Sequence, residues 1–306
     1  MSRARGRPPA DRRRPAAGPA GLRVPAGWEV VRAWGPLRFT TRAELRRPDG
    51  AIAEWSLRRH RKRLGHVPPP GARFRGLARA HASSWLIGAL FAIGSACFAL
   101  GSLPPYFDNV DPDIVAATFF VGSLFFTTAA YLVFREAVAA PESIEPGAPP
   151  RGGLRGWLDV KPRRLDWWAG LVQLAGTVFF NVSTFAATRD DLTLEQQRHL
   201  IWAPDLWGSV CFLVASWLAF SEVSPRTGSP KPRVGWWIGT LNLAGSVAFG
   251  AAAIGARYLT TTGEPANIAL INLGTFVGAL CFLAGAALLP VESASPPDPM
   301  PARATE

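Results

Sequence analysis

Three glutamates stand in step with the phrases that precede them. Glu136, Glu222 and Glu292 each follow by fourteen residues the glycine that opens GSLFF (122–126), GSVCF (208–212) and GALCF (278–282). On a helix, fourteen residues return to within ~40° of the starting face. Three such carboxylates at the ends of apolar helices would form a ring able to guard a cation route. The plainer reading is a solvated or arginine-paired Glu that ends each apolar stretch. A second set is Gln173, Gly176 and Phe180, matched by Asn242, Gly245 and Phe249 at the same i, i+3, i+7 spacing, which puts amide, glycine and ring on one helix face. Asn181 stands next to the first of these faces. Amides on apolar helices act as interhelical hydrogen-bonding glue or line a solvated path, and glue is the simpler reading.

Other chemistries find little to stand on. His199, Asp205, Asp108, Asp111 and Asp113 fall in or beside loops on one side and would suit a divalent cation if they converged, but no close ligand spacing joins them. Cys97, Cys211 and Cys281 lie in apolar stretches with no CxxC pair, and read as buried small hydrophobes. No Ser/His/Asp or Cys/His arrangement, Walker loop or GxGxxG fingerprint is present. The expectation is a protein that is not an enzyme and carries neither cofactor nor metal.

The elements that would hold these residues are six apolar stretches: Ser84–Leu103, Ile114–Phe134, Trp167–Ala187, Asp205–Phe220, Trp236–Ala256 and Asn267–Leu289. About 20 helical residues cover the ~30 Å hydrocarbon layer of a bilayer. A soluble helical core would need charged outer faces, yet the interiors of all six stretches lack Lys and Arg. The fourth is the shortest, and IWAP before it is expected to extend its helix. Thirty of the thirty-three Lys and Arg fall on one side of this topology, so both termini are placed in the cytoplasm. Trp85, Trp167, Trp168, Trp236 and Trp237 mark the starts of odd-numbered spans as interfacial anchors.

The phrases repeat. WWAGLVQLAGTVFFN (167–181) returns as WWIGTLNLAGSVAFG (236–250) and, more worn, as WLIGALFAIGSACF (85–98), aligning Gly94, Gly176 and Gly245. The fold class read from this is an all-α integral membrane protein: three parallel, tandem helical hairpins related by an axis along the membrane normal, plus a small basic N-terminal arm. These repeated phrases in two-span hairpins resemble bacterial YrhK-domain membrane proteins, a family with no assigned biochemical activity. The resemblance implies a membrane hairpin module, best over 84–136, and supplies no catalytic residues. The Ala, Arg, Gly and Pro bias also suits a GC-rich bacterial genome.

The segment limits follow. Residues 1–27 are expected to be a disordered basic tail and 28–82 a small basic region whose PDG at 48–50 suggests a β-hairpin turn. Hairpins occupy 83–137, 166–223 and 235–292, with linkers 138–165 and 224–234 and a disordered tail 293–306. The basic run RRHRKR at 58–63, with His60, His66 and His81 among the arginines, reads as a juxtamembrane patch for anionic lipid headgroups. Partners are therefore the lipid bilayer and a further copy of the chain; nucleic acid is not expected, because no reader motif accompanies the charge. The function expected is a non-enzymatic packing or interaction module, with a channel or facilitator running between the hairpins as the alternative.

Overall fold

The computed structural model describes residues 18–63, 73–144, 160–224 and 233–294, with side chains in the second segment from residue 82 onward. A three-stranded antiparallel meander comes first: β1 (Glu29–Trp34), β2 (Arg42–Arg46) and β3 (Ile52–Ser56), in the order β1-β2-β3. The expected turn is there. Gly50 takes φ +83°, its amide donates to the Arg47 carbonyl, and Asp49 Oδ1 accepts from the Ala51 amide. The sheet is one strand larger than the expected hairpin, because β1 pairs with β2 from Glu29↔Arg46 to Trp34↔Arg42 across a bulge at Val30/Arg32. Alternation along β2 turns Ala43 and Leu45 inward and its charged residues outward.

Helix α1 (Leu57–Arg61) follows directly, capped by the Ser56 hydroxyl, which accepts from the Arg59 amide. Leu57 and His60 point into the module. His60 is buried beside the Trp55 ring, with Nε2 2.9 Å from the Pro141 carbonyl. It is thus part of the packing rather than of a basic face; His66 and the His81 side chain lie outside the described residues.

Six helices are long and apolar enough to cross a membrane: α2 (Arg73–Gly101, apolar from Ala82), α4 (Pro112–Ala139), α5 (Leu165–Ala186), the run Leu194–Val223, α8 (Val234–Gly255) and α9 (Ile268–Ala294). A one-turn α3 (Pro104–Phe107) links α2 to α4. The fourth span includes the expected IWAP extension and begins earlier still, at Leu194. A Thr193/Gln196 capping box opens α6 (Leu194–Gln197), a π-helical turn follows over Arg198–Trp202, and α7 (Ala203–Val223) continues it. Pro204 at the start of α7 lacks an amide proton, and a widened turn accommodates that missing donor.

The helices form a closed ring. α2 packs on α4, α4 on α5, α5 on α7, α7 on α8, α8 on α9, and α9 returns to α2. Large apolar side chains such as Ile93, Leu124, Val182, Val214, Val247 and Leu273 face outward, while small residues and phenylalanines fill the interior. A soluble bundle would put its polar residues there; an apolar belt over small-residue contacts is what lipid favours. Trp85 (64% exposed) and Trp237 (49%) sit in that belt, but Trp167 (7%) does not. Its ring lies between Trp168 and Phe134, beneath the module. The cysteines are half-buried rather than buried.

The meander stands on one end of this ring, called the module face below. Leu22, Val24, Leu45, Trp55 and Leu57 share a core with Ile144 beyond α4, Leu165 and Ala169 of α5, and Leu218 of α7. Residues 18–24, expected within a disordered tail, belong to that core. The Arg23 amide donates to the Glu142 carbonyl, and the Arg23 carbonyl accepts from Ile144. The apolar triplet Leu22, Val24 and Ala20 supplies the burial that holds them there.

Candidate functional site: a chamber under a basic helix

Six phenylalanines, one from each long helix, meet at the centre of the ring. Phe98, Phe180 and Phe249 form one triangle, with centroids 6.5, 6.0 and 6.2 Å apart. Phe126, Phe212 and Phe282 form a second, at 6.2, 5.9 and 5.7 Å. Three further contacts of 5.1–5.6 Å join the triangles, through Phe98–Phe126, Phe180–Phe212 and Phe249–Phe282. Most of the pairs are tilted or edge-on, as ring quadrupoles prefer. All six rings are buried and belong to one apolar cluster.

Glycines let the helices come close enough for this contact. A Cβ on Gly94 would lie 2.9 Å from the Gly122 carbonyl, one on Gly176 3.1 Å from that of Gly208, and one on Gly245 3.0 Å from that of Gly278. Gly94, Gly176 and Gly245 are therefore packing positions. Hydroxyls bridge neighbouring helices beside them. Ser216 and Ser246 Oγ atoms are 2.8 Å apart, and Asn181 Oδ1 accepts from the Thr127 hydroxyl at 3.1 Å. Asn181 is thus helix-to-helix glue. Ser246→Ala is expected to lower bundle stability by about 0.6 kcal/mol, read by steric-trap unfolding in bicelles.

Between the phenylalanines and the module face lies a chamber of about 100 Å³. Its apolar floor includes Ile87, Phe91, Ile238 and Phe282. Gln173 from α5 and Asn242 from α8 line it, and neither amide has a hydrogen-bond partner among the described residues. Glu136 and Glu222 also line it, so four of the residues singled out by sequence converge.

The roof is α1. Arg58, Arg61 and Lys62 occupy i, i+3, i+4 positions, one face of a helical turn, and that face points into the bundle. Arg58 Nε and Nη2 hold Glu292 Oε1 and Oε2 at 2.5 and 2.9 Å, and Lys62 Nζ reaches Oε2 at 2.5 Å. Arg61 Nη1 stands 3.7 Å from Asp166 and 3.9 Å from Glu222, while Asp166 also takes a fork of bonds from Arg164. Glu136 accepts from the Ser83 hydroxyl at 2.6 Å. Of the three rim glutamates, Glu292 is thus paired by Arg58 and Lys62, and Glu136 takes a serine hydroxyl. Glu222 stands within long ion-pair reach of Arg61 without a hydrogen bond among the described residues.

Electrostatics differ between the two Glu292 partners. Burial works against the Arg58 charge, but Glu292, backed by Glu222 and Glu136, outweighs it and lifts the guanidinium above its ordinary value. For Lys62 burial prevails over Glu292 and, with Arg58 beside it, pulls the ammonium below its ordinary value. Within the basic run, Arg58, Arg61 and Lys62 are mostly buried against the bundle.

Sequence reading did not find Arg58, Arg61, Lys62, Asp166 or Ser83 as site residues. The i, i+3, i+4 spacing of the three cations was visible, but nothing local names a carboxylate 234 residues away. On the opposite face the acids do not converge: Asp111 caps α4, and no group of three or more His, Cys, Asp or Glu suits a metal among the described residues. No family model matches the chain, and comparisons with curated proteins and with solved structures find no match.

Proposed function

We propose that the chain is a polytopic protein of the cytoplasmic membrane, built from three tandem two-helix units about a pseudo-threefold axis, which works by binding rather than by catalysis or conduction. The observation that carries this reading is the six-phenylalanine centre, whose buried rings pack against one another where a route between the hairpins would have to run. The glycine contacts Gly94/Gly122, Gly176/Gly208 and Gly245/Gly278 recur once per unit and support the repeat. The one-sided distribution of Lys and Arg supports cytoplasmic termini. The likeness to YrhK-domain proteins rests on the short repeated phrases alone.

Ionisable groups do converge in the chamber, which an enzyme would require, but two of the acids around it are held tightly by cations of the chain: Glu292 by Arg58 and Lys62, and Asp166 by Arg164. Such pairing holds a module in place. The module is accordingly a docking platform fixed to the bundle, and arginines outside α1 remain for anionic headgroups.

Proteoliposomes loaded with potassium and a small fluorescent solute test the reading. Leak at the rate of empty liposomes is expected for the native chain, as for Gln173→Leu and Asn242→Leu. Potassium or solute flux that depends on the protein and falls in those two variants would instead establish the facilitator.

A further inference from the structure

We infer that the chamber beneath α1 is a binding site for a small, net-neutral polar molecule that presents N–H donors and an oxygen acceptor together, of the amide, urea or zwitterionic amino-acid kind. The inference begins with two buried atoms left over from the ion pairs. Glu222 is 5% exposed and lines the chamber, yet its Oε1 has no hydrogen-bond partner among the described residues. Its Oε2 is 3.9 Å from Arg61 Nη1, too far for a hydrogen bond. Arg61 Nε, on another residue lining the chamber, is likewise buried without a partner. One unfilled acceptor and one unfilled donor thus stand on two residues of the same lining, and leaving either unpaired costs about 1–3 kcal/mol.

The rest of the lining matches a ligand with both functions. Gln173 and Asn242 each bring an amide donor and acceptor, uncommitted among the described residues. The charges around the chamber balance: Arg58, Arg61, Lys62 and Arg164 against Glu136, Asp166, Glu222 and Glu292. A net charge on the ligand would upset that balance in a low-dielectric setting, whereas a neutral or zwitterionic molecule would not. About 100 Å³ equals the liquid share of roughly three waters at about 30 Å³ each, which suits a molecule of a few heavy atoms. The apolar floor at Phe91 and Phe282 would meet the ligand's carbon atoms.

The full chain in nanodiscs, dialysed to equilibrium against radiolabelled urea, acetamide or glycine, tests this. Saturable binding of one molecule per chain is expected for at least one probe. Methylammonium, which offers donors and a net charge but no acceptor, should not compete. Glu222→Gln, Gln173→Leu and Asn242→Leu should each weaken binding by about tenfold; the two leucine variants keep an apolar helix face and serve if the first fails to fold. Uptake of urea or acetamide without glycine assigns the neutral amide class, and uptake of glycine alone assigns the zwitterion. No saturable binding of any probe, or binding that all three variants leave unchanged, overturns the proposal.

Discussion

Arg58→Met is expected to release the N-terminal module from the bundle while both remain folded. Arg58 and Glu292 are 13% and 14% exposed and joined by two short hydrogen bonds, so removing the guanidinium leaves a carboxylate enclosed with Lys62 as its remaining cation. Breaking a buried pair from one side costs about 3–5 kcal/mol. Amide hydrogen exchange across Leu57–Lys62 should then speed up by about two orders of magnitude. Glu292→Gln should do the same, and the exchanged pair Arg58→Glu with Glu292→Arg should recover much of the protection. Lys62→Met should cost little, because burial already opposes its charge and pulls its pKa down. Unchanged exchange in Arg58→Met would show that the apolar contacts of Leu22, Leu45 and Leu57 hold the module without the ion pair.

A second large effect is expected inside the bundle, with its control on the same helix. On α8, a Cβ at Gly245 would meet the Gly278 carbonyl and the Phe282 ring, all at 3.0 Å, whereas a Cβ at Gly250 meets nothing within 4 Å. Gly245→Leu must therefore push α8 away from α9 and displace one ring of the phenylalanine centre. Overpacking of this kind costs about 3 kcal/mol. Gly250→Leu points into open space on the apolar exterior and should be neutral or better, since glycine costs about 1 kcal/mol in a helix. Unfolding in bicelles by steric trapping compares the two. Equal loss at both positions would mean that helix propensity, not close packing, sets the penalty.

The parts legible in the sequence were those written by local composition. Six helices follow from apolar length and missing charge, and the repeated glycines anticipated the tight crossings. That Phe126, Phe212 and Phe282 of the even-numbered spans would meet Phe98, Phe180 and Phe249 was not legible. Gln173 and Asn242 could be singled out because an amide on an apolar helix is conspicuous, and both do line the chamber. The extension of the fourth span through IWAP was legible, whereas its start at Leu194 lies in a polar stretch that hydropathy does not mark, although Thr193 and Gln196 spell a capping box. Trp167 looked like a lipid anchor because a tryptophan at a span end is equally suited to an interface and to a buried contact; only the module above it decides. The roof was illegible for a deeper reason. Whether Arg58 pairs with lipid, water or Glu292 depends on how the meander docks, and that is set by Leu22, Trp55 and Leu57 meeting Leu165 and Leu218. No single segment records such a meeting.

The closed ring on which the chamber and the phenylalanine centre depend can be tested at its last joint, where the final span returns to the first. An ideal Cβ at Gly88 of α2 lies 3.8 Å from the Leu289 Cβ of α9, the mean separation in disulfides. It also lies 3.0 Å from the Ala286 carbonyl, so the two helices must give by a few tenths of an ångström to admit it. In a chain carrying Cys97→Ala, Cys211→Ala and Cys281→Ala, the pair Gly88→Cys and Leu289→Cys should form an intramolecular disulfide under mild oxidation in native membranes. After cleavage within the linker 145–159, the two halves should stay joined on a gel until a reductant is added. Halves that separate without reductant, or cross-links that join only different chains, would contradict the ring.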